Sequence, residues 1–186
     1  MTFDFARARQ TMVETQVRTN DVTDLQIQSA MRSVARETLC GPNTHLAYAD
    51  TEVGYAAGRW LMRPRDVAKL LQAIRPVSGE RALAIAAPYA AAVLEAMGLQ
   101  VERSDNPGGV TGLWDVIVSE GALATVPPSW AEALTMGGRM GVVERVGAAG
   151  KAMIYLRGAD GVGGRIAFDC SAPLLGGVES APAFAF

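Results

Sequence analysis

The stretch Arg81-Ala82-Leu83-Ala84-Ile85-Ala86-Ala87-Pro88-Tyr89-Ala90-Ala91-Ala92-Val93-Leu94-Glu95-Ala96-Met97-Gly98-Leu99-Gln100-Val101-Glu102-Arg103 decides the fold. The apolar run from Ala82 to Ala86 has the length of a buried strand, Ala90 to Met97 reads as a helix, Gly98 suits its C-cap, and Gln100 to Arg103 is extended again. Together they predict a β-α-β unit, whose crossover sets two strands parallel. The apolar span Ala82 to Leu94 is broken by Pro88 and falls short of the roughly 20 residues a membrane-spanning helix needs.

Downstream, a Gly/Pro-rich link, Asn106-Pro107-Gly108-Gly109, leads to a strand from Trp114 to Ser119 and a helix opened by Pro127-Pro128 that bears Trp130 and Leu134. Three further strands are expected at 139–146, 152–157 and 165–169, joined by Gly-rich turns suited to antiparallel hairpins. Upstream, Asp4 and Asp24 are placed to cap two helices, and Pro64 opens a third with Val67, Leu70, Leu71 and Ile74 on one face, stopped by Pro76. Between them, from Gly41 to Gly58, no period is visible, and an irregular surface segment is expected there as a binding loop. Alternating β and α elements argue for a mostly parallel sheet.

Composition narrows the function classes. Of 186 residues 49% are hydrophobic and 19% charged, enough apolar content for a core and against general disorder. The net charge of −2 sets up no field favouring a polyanion, so nucleic acid is not an expected partner. Cys40, Cys170 and the lone His45 cannot be assembled into a soft-metal site, so no metal is expected. Both cysteines read as reduced core residues, and Met12, Met31, Met97, Met136 and Met153 as core filler. The N-terminal residues show no basic segment followed by an apolar one, which sets the expectation of a cytoplasmic protein.

Several phrases, in order, carry a resemblance: Met12-Val13-Glu14-Thr15-Gln16-Val17-Arg18, then Val34-Ala35-Arg36-Glu37, Leu46-Ala47-Tyr48-Ala49-Asp50, Gly58 to Pro64, Trp114-Asp115-Val116-Ile117-Val118, Val126-Pro127 and Gly137-Gly138-Arg139. The chain resembles the protein-L-isoaspartate O-methyltransferase family, which uses S-adenosylmethionine to methylate isoaspartyl carboxylates of damaged proteins. The resemblance implies a three-layer, Rossmann-like methyltransferase fold: a mostly parallel sheet, an antiparallel C-terminal hairpin and an N-terminal helical segment. One domain is expected, with N-terminal helices and substrate-loop region over 1–76 and the Rossmann-like core over 77–186.

Against that pattern the chain departs where the family's chemistry is concentrated. Ala84 stands in place of the acid that normally ends the first strand, Ala86, Ala87 and Pro88 replace a glycine-rich cofactor turn, and Tyr89 alone is retained. In the substrate loop Gly58-Arg59-Trp60-Leu61-Met62-Arg63-Pro64, Met62 takes the place of a serine whose hydroxyl would hold the substrate carboxylate. Arg59 and Arg63 could attract a carboxylate and Trp60 could anchor a ligand, or all three could serve packing and surface. Asp105 matches the acid that would hydrogen-bond a ribose, or closes an Asx turn; Glu120 either lines the cofactor pocket or is solvated. The eight residues from Asn106 to Leu113 cannot hold a crossover, so one edge strand and its helix are expected to be missing. Two readings follow. The favoured one is a binding or assembly module that takes no cofactor, its bare sheet edge near Gln100 to Gly112 or its Phe184 and Phe186 tail covered by a second copy or a partner protein. The alternative is an active enzyme using S-adenosylmethionine on an isoaspartyl protein or peptide.

Overall fold

The structure, a computed structural model, describes residues 4–177; the Phe184 and Phe186 tail lies outside them. The helices begin where the side chains dictate. Asp4 accepts the Arg7 N–H at 3.0 Å and opens α1 (Phe5–Met12), which runs on through a π-turn, so that Met12, Val13 and Val17 form the buried face. Asp24 accepts the N–H groups of Gln26 and Ile27 and opens α2 (Leu25–Ser33). Pro64 occupies the first position of α3 (Pro64–Ile74), whose Val67, Leu70, Leu71 and Ile74 are buried.

The segment expected to be irregular holds short structure instead. After 3-10 turns, β1 (Val53–Ala56) and β2 (Arg59–Leu61) form a hairpin closed at Gly58, whose φ of +63° belongs to the left-handed region. The β-α-β unit follows as β3 (Arg81–Ile85), α4 (Pro88–Ala96) and β4 (Gln100–Ser104). β5 (Trp114–Leu123) leads to the five-residue α5 (Pro128–Glu132), and β6 (Leu134–Val146), β7 (Ala149–Gly158) and β8 (Gly161–Asp169) complete the sheet. Leu134 therefore opens β6 rather than belonging to the helix.

The sheet order is β4-β3-β5-β6-β7-β8, parallel from β4 through β6 and antiparallel across β6-β7-β8. Among the described residues it has six strands, with β4 at one edge. Alternation divides the core. Ala82 and Ala84 face α4, whose Ala90 and Ala91 lie in the same buried cluster as α1, α2 and α3; small residues on both sides let helix and sheet approach closely. Leu83, Ile85 and Ile117 face the other way onto Trp114, Trp130 and Leu175. That second layer is thin: α5, the 105–113 loop and the chain after β8 take the place of a full helical layer. Met31 is buried as expected, but Met136 is 71% exposed, because it sits in the irregular start of β6 where the register to β5 shifts between Leu134 and Arg139. Among the described residues no helix is long and apolar enough to cross a membrane, and no group of three or more His, Cys, Asp or Glu side chains is placed to hold a metal ion.

Candidate functional site

In open α/β sheets ligands bind in the crevice beyond the carboxyl ends of the strands, where the strand order reverses. Here that point lies between β3 and β5, beside the first turn of α4. β3 ends at Ile85, and Ala86 turns the chain with φ +46°, a left-handed conformation uncommon for a residue with a Cβ. The Ala86 N–H donates to the Ser104 carbonyl at 2.7 Å, which ties the turn to the end of β4. Ala84, Ala86, Ala87 and Tyr89 are all buried.

The first turn of α4 is satisfied from within. Pro88 has no N–H; Tyr89 and Ala90 both donate to Glu120 Oε1 at 2.9 Å, and Met62, just past the β1-β2 hairpin, donates to Oε2 at 2.9 Å. Glu120 is 1% exposed and therefore not solvated. Burial pushes its carboxyl up, while Arg36 and the three backbone donors pull the other way. The Arg36 guanidinium, 0% exposed, lies 4.4 Å over the Tyr89 ring and donates to the carbonyls of Ala47 (2.9 Å) and Met62 (2.8 Å). Burial likewise raises the Tyr89 phenol above its ordinary value, and that of Tyr55 is pushed up to about 12.

The expected substrate loop is tied down. Arg59 donates to the Gly176 carbonyl and to the Asp105 carbonyl, each at 2.7 Å. Arg63 pairs with Glu52 at 2.9 Å. Trp60 pairs across the hairpin with Gly54, Met62 is buried, and Pro64 belongs to the first turn of α3. Both arginines are thus committed within the chain rather than set out for a ligand. The Asp105 side chain is exposed at the rim; it is Asn106 that forms the Asx turn, accepting the Gly108 N–H at 3.0 Å.

Three features escaped the sequence reading. Arg36, quoted only as part of a phrase, is a buried hub. Trp130 donates to the Pro107 carbonyl at 2.8 Å and draws the 105–113 loop across the sheet. The segment 172–176 lies along the end of β5: Ala122 donates to the Pro173 carbonyl (2.7 Å), Leu175 to the Ala122 carbonyl (2.8 Å) and Gly176 to the Gly58 carbonyl (3.1 Å), and buried Leu175 belongs to the cluster that contains Ile85, Ala86 and Trp130. Gly121 makes room for it, since a Cβ there would press on Leu175 Cβ at 3.3 Å at a φ of +114°. The apolar pair Leu174-Leu175 after the last strand was the available signal.

No model of a protein family matches the chain. Curated relatives do. A protein-L-isoaspartate O-methyltransferase of Methylorubrum extorquens (strain PA1) is 38% identical over 105 residues, 53% of this chain and 44% of that protein. One from Rhodopseudomonas palustris (strain ATCC BAA-98 / CGA009) is 32% identical over 161 residues, 69% of this chain and 74% of that protein. The matched region spans less than half the length of the Methylorubrum protein. Among solved structures, a Plasmodium falciparum chain described as a protein-L-isoaspartate O-methyltransferase, in complex with S-adenosyl-L-homocysteine, superimposes with a TM-score of 0.76 at 14% identity over 91% of this chain and 98% of that one. Another protein-L-isoaspartate O-methyltransferase gives 0.72 at 19% identity over 91% of this chain and 66% of its own. At these identities the structural likeness carries the fold, and the Rhodopseudomonas match carries the kinship: the chain belongs to the protein-L-isoaspartate O-methyltransferase family.

Proposed function

We propose that this chain is a family member whose cofactor crevice is closed by its own residues, and that it works as a binding or assembly module rather than as a methyltransferase. The observation that carries the reading is the segment 172–176, which is hydrogen-bonded to Ala122 at the end of β5 and to Gly58 of the hairpin, with Leu175 in the buried cluster that also contains Ile85 and Ala86. Two further features support it. The N–H groups of Tyr89 and Ala90 that a ligand would need are taken by Glu120, and the Ala86 N–H is taken by Ser104. On this reading the residues present do not fit S-adenosylmethionine, and the partner is a protein or a second copy of the chain in a cytoplasmic setting.

Family kinship favours the second reading, an active enzyme that binds S-adenosylmethionine and methylates isoaspartyl carboxylates of a protein or peptide. A carboxylate acceptor is already ionised at neutral pH, so the absence of a histidine at the crevice does not count against it. Titration calorimetry separates the two. The closed-crevice reading expects no saturable heat with S-adenosylmethionine or S-adenosylhomocysteine; a dissociation constant tighter than about 100 µM, roughly −5.5 kcal/mol, overturns it.

A further inference from the structure

Glu120 occupies a place with the chemistry of a ligand site. α4 is nine residues long, and its first-turn donors, Tyr89 and Ala90, converge on one carboxylate oxygen at 2.9 Å each. A third donor, the Met62 N–H, reaches the other oxygen at 2.9 Å from a different part of the chain. Helix N-termini favour anions because their N–H groups are unpaired and their dipole end is positive. An independent feature points the same way. Arg36, fully buried, donates to the Met62 carbonyl at 2.8 Å and lies over the Tyr89 ring, yet its Nη1 finds no partner, and neither does the Tyr89 hydroxyl. The surroundings therefore hold more donors than the resident side chain uses, and buried donors without partners are costly.

We propose that the N–H groups of Met62, Tyr89 and Ala90, together with the Arg36 guanidinium, form a binding site for a small monocarboxylate, filled in the intact chain by the Glu120 side chain and opened to a free carboxylate when that side chain is shortened. Two oxygens held by three backbone donors, two on one oxygen and one on the other, suit a planar carboxylate rather than a tetrahedral oxyanion or a halide. Filled in this way, the site joins three segments distant in sequence: the exit of the β1-β2 hairpin, the start of α4 and the end of β5. The inference rests on the reading that the crevice is closed from within.

The test compares the unaltered chain with Glu120→Ala and Glu120→Gln by thermal unfolding, with sodium formate against sodium chloride and sodium sulfate at equal ionic strength. Glu120→Ala should melt lower by about 10 °C, since removing the buried carboxylate leaves its three backbone donors unsatisfied. Formate should restore part of that loss saturably while chloride and sulfate do not. The unaltered chain and Glu120→Gln, whose amide still fills the site, should show no formate-specific rise. If Glu120→Ala does not fold, its refolding yield in formate against chloride reads the same effect. In the refolded variant, formate should shift the backbone amide resonances of Met62, Tyr89 and Ala90. A Glu120→Ala chain indifferent to formate in melting, refolding and amide shifts, or equally responsive to chloride, overturns the proposal. Binding of S-adenosylmethionine to the unaltered chain would instead overturn the closed-crevice reading and leave the formate result standing.

Discussion

Arg139 shows how this chain uses a guanidinium where helix and sheet meet. It donates to the carbonyls of Ile74 (2.9 Å) and Arg75 (2.6 Å) at the end of α3 and to both oxygens of Glu80 (2.7 and 2.9 Å) just before β3. Arg75 needs such support, because it ends α3 with a φ of +50°. Burial raises the Glu80 carboxyl, but the Arg139 pair and the Val77 N–H outweigh it, and the group lies below its ordinary value. A carboxyl lowered by folding contributes stability that is complete above its unfolded-state pKa and is lost as pH falls through the folded one. Glu80→Gln should thus cost about 1–2 kcal/mol at neutral pH in urea unfolding, and the two curves should converge as the solution is acidified below the ordinary glutamate range. A difference that persists unchanged at low pH would place the loss elsewhere than in the ionised pair.

Elements were legible in the sequence where one side chain or one period decides them. The entries of α1, α2 and α3 follow from Asp4, Asp24 and Pro64, and the β3-α4-β4 unit follows from an apolar run, an alanine-rich helix and Gly98. The β1-β2 hairpin was not legible, because three- and four-residue strands with a register shift between Gly54 and Ala56 show no alternation. The segment 172–176 was not legible either, since beyond the apolar pair Leu174-Leu175 it carries no pattern, and its backbone bonds run to distant residues. At the site, the sequence located the altered turn and named Glu120, but which donors Glu120 meets depends on Met62, Tyr89 and Ala90 being brought together by tertiary contacts. The α2 entry allows a quantitative check. Asp24 Oδ1 accepts the Gln26 and Ile27 N–H groups at 2.8 and 3.1 Å, while Gln72 of α3 accepts the N–H groups of Thr23 and Asp24 at 2.8 and 3.0 Å. Asp24→Ala should lower stability by about 1 kcal/mol and Asp24→Asn by much less, read as urea midpoints. Equal losses in the two variants would mean that charge, rather than the cap hydrogen bonds, is what counts.

Across the whole molecule the two sheet edges are protected unequally. The missing unit beyond β4 led to the expectation of a bare apolar edge, and there the structure corrects it. Leu99 is buried in the chain's own core, Val101 is half-buried against it, and Gln100, Glu102 and Arg103 face solvent, with Arg103 paired to Glu95 at 2.7 Å. Short length and charge are how natural sheets discourage edge pairing. β8 at the other edge has nine residues, pairs among the described residues with β7 alone, carries glycine at 161, 163 and 164, and leaves Ile166 56% exposed. Arg165 and the terminal Asp169 are its two charges, and Asp169 is paired with Lys151 of β7. With a net charge of only −2 there is little repulsion between copies. Self-association on heating should therefore begin at β8. Ile166→Lys should lower light scattering at a matched fraction unfolded, and Arg103→Val, which removes the charge that guards β4, should raise it. If Ile166→Lys scatters as strongly as the unaltered chain while Arg103→Val still raises the signal, association runs through β4, and its charged residues are an incomplete guard.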